Sequence, residues 1–121
     1  MIRVVVTDDD AAIRDVVSAF LDAQEEIDVV GRASDGREAV ELVRALTPDV
    51  VVMDIEMPVL DGLEATRAIK AEHANVAVLL LTSLVDPAVA DAGARAGADG
   101  FHLKSVFGAE LVDRVRELAE Q

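Results

Sequence analysis

Residues 48–62 read PDVVVMDIEMPVLDG, and the punctuation of this stretch decides the fold. Pro48 stops any helix that precedes it. Val50, Val51, Val52 and Met53 then form the most apolar run of the chain, with nothing polar on either alternating face, which is the pattern of a strand buried on both sides. Asp54 ends that run. Pro58 and the pair Asp61-Gly62 mark a loop, and Asp61 is placed to cap a helix that carries Leu63, Ala68 and Ile69. A strand buried on both faces needs helices above and below it, and the flanking sequence supplies them.

On the N-terminal side, Ala39, Leu42, Val43 and Leu46 repeat at helical spacing. Before them Ile27–Val30 reads as a strand closed by Gly31 and the polar stretch around Ser34, Asp35 and Gly36. The chain opens with a strand over Ile2–Val6 that ends at Thr7, followed by Asp8, Asp9 and Asp10. Ile13, Val16, Val17, Phe20 and Leu21 then carry a helix. On the C-terminal side Val76–Leu81 is a fourth strand, and Asp86-Pro87 is a cap and first-turn signature. It opens an Ala- and Gly-rich helix that runs to Ala98. Phe101–Leu103 is a short fifth strand, and Leu111, Val112, Val115, Leu118 and Ala119 complete a fifth helix. Five βα units in strict alternation predict a single α/β domain over 1–121, with a parallel sheet covered on both faces. The expected architecture is the flavodoxin-like doubly wound (βα)5 fold, strand order 2-1-3-4-5, with its switch point between strands 1 and 3. Gly93, inside the fourth helix, costs about 1 kcal/mol relative to Ala, so that helix is expected to be the least stable and the most easily moved.

The chain has 121 residues, enough for a core that removes about two thirds of the extended surface from water. With 24 acidic and 11 basic residues the net charge is -13, which opposes non-specific attraction to nucleic acid or anionic membrane. Any contact with DNA would need another domain. There is no cysteine, hence no disulfide and no thiolate metal site. Without a leader-like N-terminus or an apolar stretch of membrane-spanning length, a cytoplasmic protein with no membrane partner is expected.

In that strand order Asp8, Asp9, Asp54, Thr82 and Lys104 gather beyond the carboxyl ends of the strands, where such sheets place their ligands. Two carboxylates about 4 Å apart repel by about 4 kcal/mol at an effective dielectric near 20. Three together call for a cation. Oxygen-only ligands suit Mg2+, with Mn2+ an acceptable substitute, and the lack of cysteine and of nearby histidine disfavours zinc. Mg2+ and Lys104 would bring three positive charges to three negative ones. Singly, each residue has a plainer reading: Asp54 as a turn residue, Asp8 and Asp9 as the start of a helix, Thr82 as structural, Lys104 as a solvated charge. His73 and His102 belong to no motif. The joint placement of Asp8, Asp9, Asp54, Thr82 and Lys104 favours function.

Over its whole length the chain resembles the receiver domain of two-component response regulators. The resemblance is carried by the acidic triplet at 8–10, MDIEMPVLDG at 53–62, LLLTS at 79–83 and GADGFHLKS at 97–105. It implies a signalling switch rather than an enzyme acting on an external substrate, one that takes part in its own phosphotransfer and dephosphorylation. Asp54 would be the phosphoacceptor, charged by a sensor histidine kinase or a small phosphodonor. Asp9 and Asp54 would bind Mg2+ directly, Asp8 through water, and the backbone carbonyl of Glu56 would add a ligand. Lys104 and Thr82 would receive the phosphoryl oxygens. Thr82 and Phe101 would act as the switch, biasing the face of helix 4, strand 5 and helix 5. Glu56 and Leu84 occupy positions that tune the phosphate's lifetime.

Residues 36–67 and AGADGFHLK at 96–104 are most similar to receivers that precede a LuxR-type helix-turn-helix output. That implies a transcription regulator whose DNA-binding C-terminal half is absent here, the chain being either cut near Gln121 or a stand-alone receiver. For a homodimer the family offers two surfaces, helix 4 with strand 5 and helix 5, or helices 1 and 5. Several positions depart from the pattern. Asp10 reads as a cap on helix 1. Ser105 follows Lys104 where many receivers have proline, which leaves the Lys104–Ser105 bond open between cis and trans. Phe107 stands where a capping residue is expected before helix 5, and reads as a core plug. Three rival readings fit the residues less well. A haloacid-dehalogenase-like phosphatase would use the Asp8-x-Asp10 pair, but Ala12, the lack of a late acidic pair and an idle Asp54 count against it. An inert dimerisation module leaves the full set of site residues without purpose. Flavin binding lacks a Trp or Tyr to stack on the ring.

Overall fold

The computed structural model describes residues 1–57, 59–83, 86–105 and 108–120. The elements alternate as predicted: β1 (Ile2–Thr7), α1 (Ala11–Asp22), β2 (Ile27–Ala33), α2 (Gly36–Leu46), β3 (Val50–Asp54), α3 (Gly62–Glu72), β4 (Ala77–Thr82), α4 (Pro87–Ala96), β5 (Gly100–Leu103) and α5 (Ala109–Ala119). All neighbouring strands are parallel, in the order β2-β1-β3-β4-β5.

The apolar run that suggested a doubly covered strand is such a strand, since every residue of β3 is buried. Its alternate side chains feed two separate cores. Val50 and Val52 join Val4, Val6, Leu79 and Leu81 against α1 and α5. Val51 and Met53 join Val5, Val78 and Leu80 against α2 and α3. Each such side chain contributes about 1.5–3 kcal/mol when fully buried, so the central strands are held from both faces. The sheet's centre is thereby fixed, and with it the carboxyl ends that carry the site.

Four helices begin on an aspartate whose carboxylate accepts a first-turn backbone N–H: Asp10, Asp35, Asp61 and Asp86. The cap readings of Asp10, Asp61 and Asp86 hold. For α5 the cap position falls one residue later than expected, on Gly108 with φ 85°, and no side chain among the described residues caps it; Phe107 itself lies outside the described residues, as do Pro58 and Leu84. No cis peptide bond occurs among the described residues, so Lys104–Ser105 is trans. Strand 2 does not close at Gly31. It continues to Ala33, and the register with β1 slips so that Val4 pairs with Val29 but Val5 pairs with Gly31. The helix packs closely here: a Cβ at Gly31 would lie 3.2 and 3.3 Å from the Leu46 and Leu42 methyls of α2, a close approach that glycine permits inside a strand. No helix among the described residues is long and apolar enough to cross a membrane.

Candidate functional site: an acidic pocket at the sheet's carboxyl edge

Asp8 follows the last residue of β1, and its backbone N–H donates to the Ala33 carbonyl at 3.1 Å. This ties the end of β1 to that of β2. The Asp8 carboxylate is buried; its Oδ1 accepts from the Asp10 N–H at 2.9 Å. Asp54 closes β3, pairs with Leu81 and is also buried. Asp9, by contrast, is exposed. Each of the three carboxylates offers an oxygen, and these lie within 4.8 Å of one another. The acids brought together from β1 and β3 are those the strand order predicts.

Lys104 follows β5, and its backbone N–H donates to the Thr82 carbonyl at 2.8 Å. The side chain reaches back across the strand ends. Its Nζ lies 3.0 Å from Asp54 Oδ2 and 3.2 Å from Asp8 Oδ2, so one ammonium bridges two buried carboxylates. Burial weakens the hold of Lys104 on its proton, but the hydrogen bonds and charges of Asp54 and Asp8 outweigh that and keep its pKa above the ordinary lysine value. Asp54 goes the other way. Burial, with the negative charges of Asp8 and Asp9, pushes its pKa from 3.8 up to about 6 despite the hydrogen bond and charge of Lys104. One lysine does not neutralise three acids.

The donor set fits a hard divalent cation. All side-chain ligands are carboxylate oxygens, and Asp8 Oδ2 is buried with the Lys104 ammonium at 3.2 Å as its one close polar neighbour among the described residues. A cavity of about 290 Å3, bordered by Asp9, Asp54, Glu56, Thr82 and Lys104, leaves room for waters and a phosphoryl group beside them. Thr82 is half-buried on that wall. Phe101 is half-buried too, with its ring packed against the core on the α2 and α3 side. Asp10 lies apart in its chemistry. Its Oδ1 accepts from the N–H groups of Ala12 and Ile13, so it holds the first turn of α1.

Two further contributors escaped sequence reasoning. Arg14 donates from its guanidinium to the Asp8 carbonyl at 2.9 Å; its signal was its place one helical turn after the cap. Gly62 lets the start of α3 press on the phosphoacceptor candidate, because a Cβ there would lie 2.2 Å from the Asp54 carbonyl oxygen.

The family described as "Response regulator receiver domain" matches residues 4–116. The chain belongs to the response regulator receiver family. This receiver is 42% identical over 116 residues to the transcriptional regulatory protein LiaR of Bacillus subtilis, covering 96% of the chain and 55% of LiaR. It is 38% identical to LnrK of the same organism, covering 95% of the chain and 52% of LnrK. The chain thus spans about half the length of the curated relatives it matches. Among solved structures, the signal receiver domain assigned to NarL of Mycobacterium tuberculosis superposes with a TM-score of 0.95 at 36% identity, covering 98% of this chain and 96% of that one. A LuxR-family two-component response regulator from Aurantimonas sp. SI85-9A1 gives 0.92 at 34%, covering 98% and 84%. Receivers of this family are phospho-accepting signalling switches rather than enzymes acting on an external substrate, and the Aurantimonas relative is itself a LuxR-family regulator. The second aspartate of the phosphatase rival's pair, Asp10, caps α1.

Proposed function

We propose that Asp54 accepts a phosphoryl group in a pocket that Asp8, Asp9, Thr82 and Lys104 complete. The observation that carries this reading is the Lys104 ammonium held at 3.0 Å from Asp54 and 3.2 Å from Asp8 beside a third carboxylate. Mg2+, or Mn2+ in its place, would be held by Asp9 and Asp54 directly, by Asp8 through water and by the backbone carbonyl of Glu56. When bound, the cation supplies positive charge to the phosphoryl oxygens. An oxygen of ionised Asp54 attacks phosphorus while the bond to the donor's nitrogen or oxygen breaks, and the donor departs with the electron pair. Lys104 exchanges its contact with the Asp54 oxygen for one with a phosphoryl oxygen, and Thr82 donates its hydroxyl proton to another. Catalysis is by positioning and charge neutralisation.

Thr82 drawn toward the phosphoryl group vacates space next to Phe101, and the face of α4, β5 and α5 shifts its population accordingly. Water later removes the phosphoryl group, at a rate set by the residues at Glu56 and Leu84. In the cell the donor is a sensor histidine kinase in the cytoplasm, and the switch controls DNA binding through a C-terminal output domain, with homodimerisation through the α4-β5-α5 face or through α1 and α5. The test is chemical. With Mg2+ and acetyl phosphate the wild type gains one hydroxylamine-labile phosphoryl group by intact mass, and Asp54→Asn gains none. Labelling at Asp8 that survives Asp54→Asn returns the phosphatase reading, and no labelling at all refutes the proposal.

A further inference from the structure

We propose that Gly93 is the seat of Phe101, and that the two form a pin in a hole that couples β5 to α4. The inference rests on reading Phe101 as the switch aromatic and adds the residue that sets where it rests. Gly93 is buried inside α4 with ordinary helical φ, where any residue type is sterically free to adopt the backbone and glycine is a poor helix former. The tertiary structure supplies the reason for it. A Cβ built at Gly93 would lie 2.1 Å from Phe101 Cζ, 2.9 Å from Phe101 Cε1 and 2.9 Å from Leu80 Cδ1. The ring edge therefore fills the volume that a side chain at position 93 would claim, with Leu80 of β4 against the same spot. Within α4 only Gly93 and Ala96 are buried, so this socket is a large part of what seats the helix on the sheet.

The ring also borders an apolar cavity of about 300 Å3, whose wall includes Thr82, Pro87 and Val89. A ring that leaves the socket has space to enter, and the void it leaves against Leu80 is closed by movement of α4, because packed interiors do not tolerate an empty ring-sized hole. Motion of one side chain is thereby converted into motion of one helix. Filling the hole covalently, with Gly93→Ala, should evict the ring in the absence of any phosphoryl group.

The experiment uses the domain labelled with 4-fluorophenylalanine, the Phe101 signal being assigned by its loss in Phe101→Leu. In Gly93→Ala the Phe101 signal is expected to move toward the position it takes in the wild type with Mg2+ and beryllofluoride, and the beryllofluoride midpoint to fall by about fivefold or more. The double variant Gly93→Ala/Phe101→Leu, with a side chain that leaves room for the new methyl, is expected to return the α4 amide shifts to those of Phe101→Leu. A Phe101 signal unmoved in Gly93→Ala, or α4 amides as displaced in the double variant as in the single, overturns the proposal. Should Gly93→Ala not fold while the double variant does, the steric conflict is located at the ring; should neither fold, the socket is refuted as its cause. The first readout needs no phosphoryl group, so failure of Asp54 to accept phosphate leaves a distinct result.

Discussion

Replacing Asp54 by Asn should make the metal-free domain more stable, which separates a functional carboxylate from a structural one. Burial and the neighbouring acids raise the Asp54 pKa from 3.8 to about 6. At about 1.4 kcal/mol for each pH unit by which a pKa moves, ionised Asp54 costs the folded state about 3 kcal/mol at neutral pH. Asn carries no charge to desolvate, but it gives up the contact with Lys104, so the expected net gain is about 1–3 kcal/mol. The sign follows from proton binding. Between the unfolded and folded pKa values the folded state holds more protons than the unfolded one, so the wild type loses stability as pH rises from about 4 to about 7, while Asp54→Asn lacks this component. The assay is urea unfolding in EDTA across that range, with equal slopes required in both proteins. Mg2+ at about a hundred times its dissociation constant should then stabilise the wild type by about 2.7 kcal/mol and the variant far less. An Asp54→Asn protein no more stable than wild type at neutral pH, or a difference that does not change with pH, refutes the argument.

Lys104→Met leaves Asp8 and Asp54 facing each other without a cation and should lower metal-free stability by about 1–3 kcal/mol, with Mg2+ recovering most of it; urea midpoints with and without metal check this. Val59 is exposed at φ 70°, a conformation that a β-branched residue adopts at a cost, and Val59→Gly should raise stability by about 1 kcal/mol in the same assay. Gly36→Ala would place a Cβ 2.2 Å from the Leu60 carbonyl oxygen, breaking the seat of the β3–α3 loop; a loss of about 2–3 kcal/mol is expected, and an unchanged thermal midpoint would contradict the contact.

Much of the site was legible because a parallel sheet converts sequence position into spatial position. An apolar run names a strand, the acid or hydroxyl that ends it names the functional edge, and a doubly wound order puts strands 1 and 3 side by side. Asp8, Asp9 and Asp54 meet for that reason. The helix caps were legible because capping is local, needing only an aspartate two or three residues before the N–H it accepts. What was missed lies between elements. Gly31 reads as a terminator until the Leu42 and Leu46 methyls of another helix are seen over it, and Arg14 reads as a surface charge until its guanidinium is found on the Asp8 carbonyl.

The linear order of residues was enough to determine an alternating fold, a two-faced core and the identity of the acids at its rim, because periodicity, caps and strand ends are properties of neighbours along the chain. Which oxygen of which acid shares the Lys104 ammonium, how far burial raises the Asp54 pKa and why α4 carries a glycine beneath Phe101 were decided only when distant segments packed. Desolvation, charge pairing and steric exclusion act through space at a few ångströms, and no spacing along the chain records those distances.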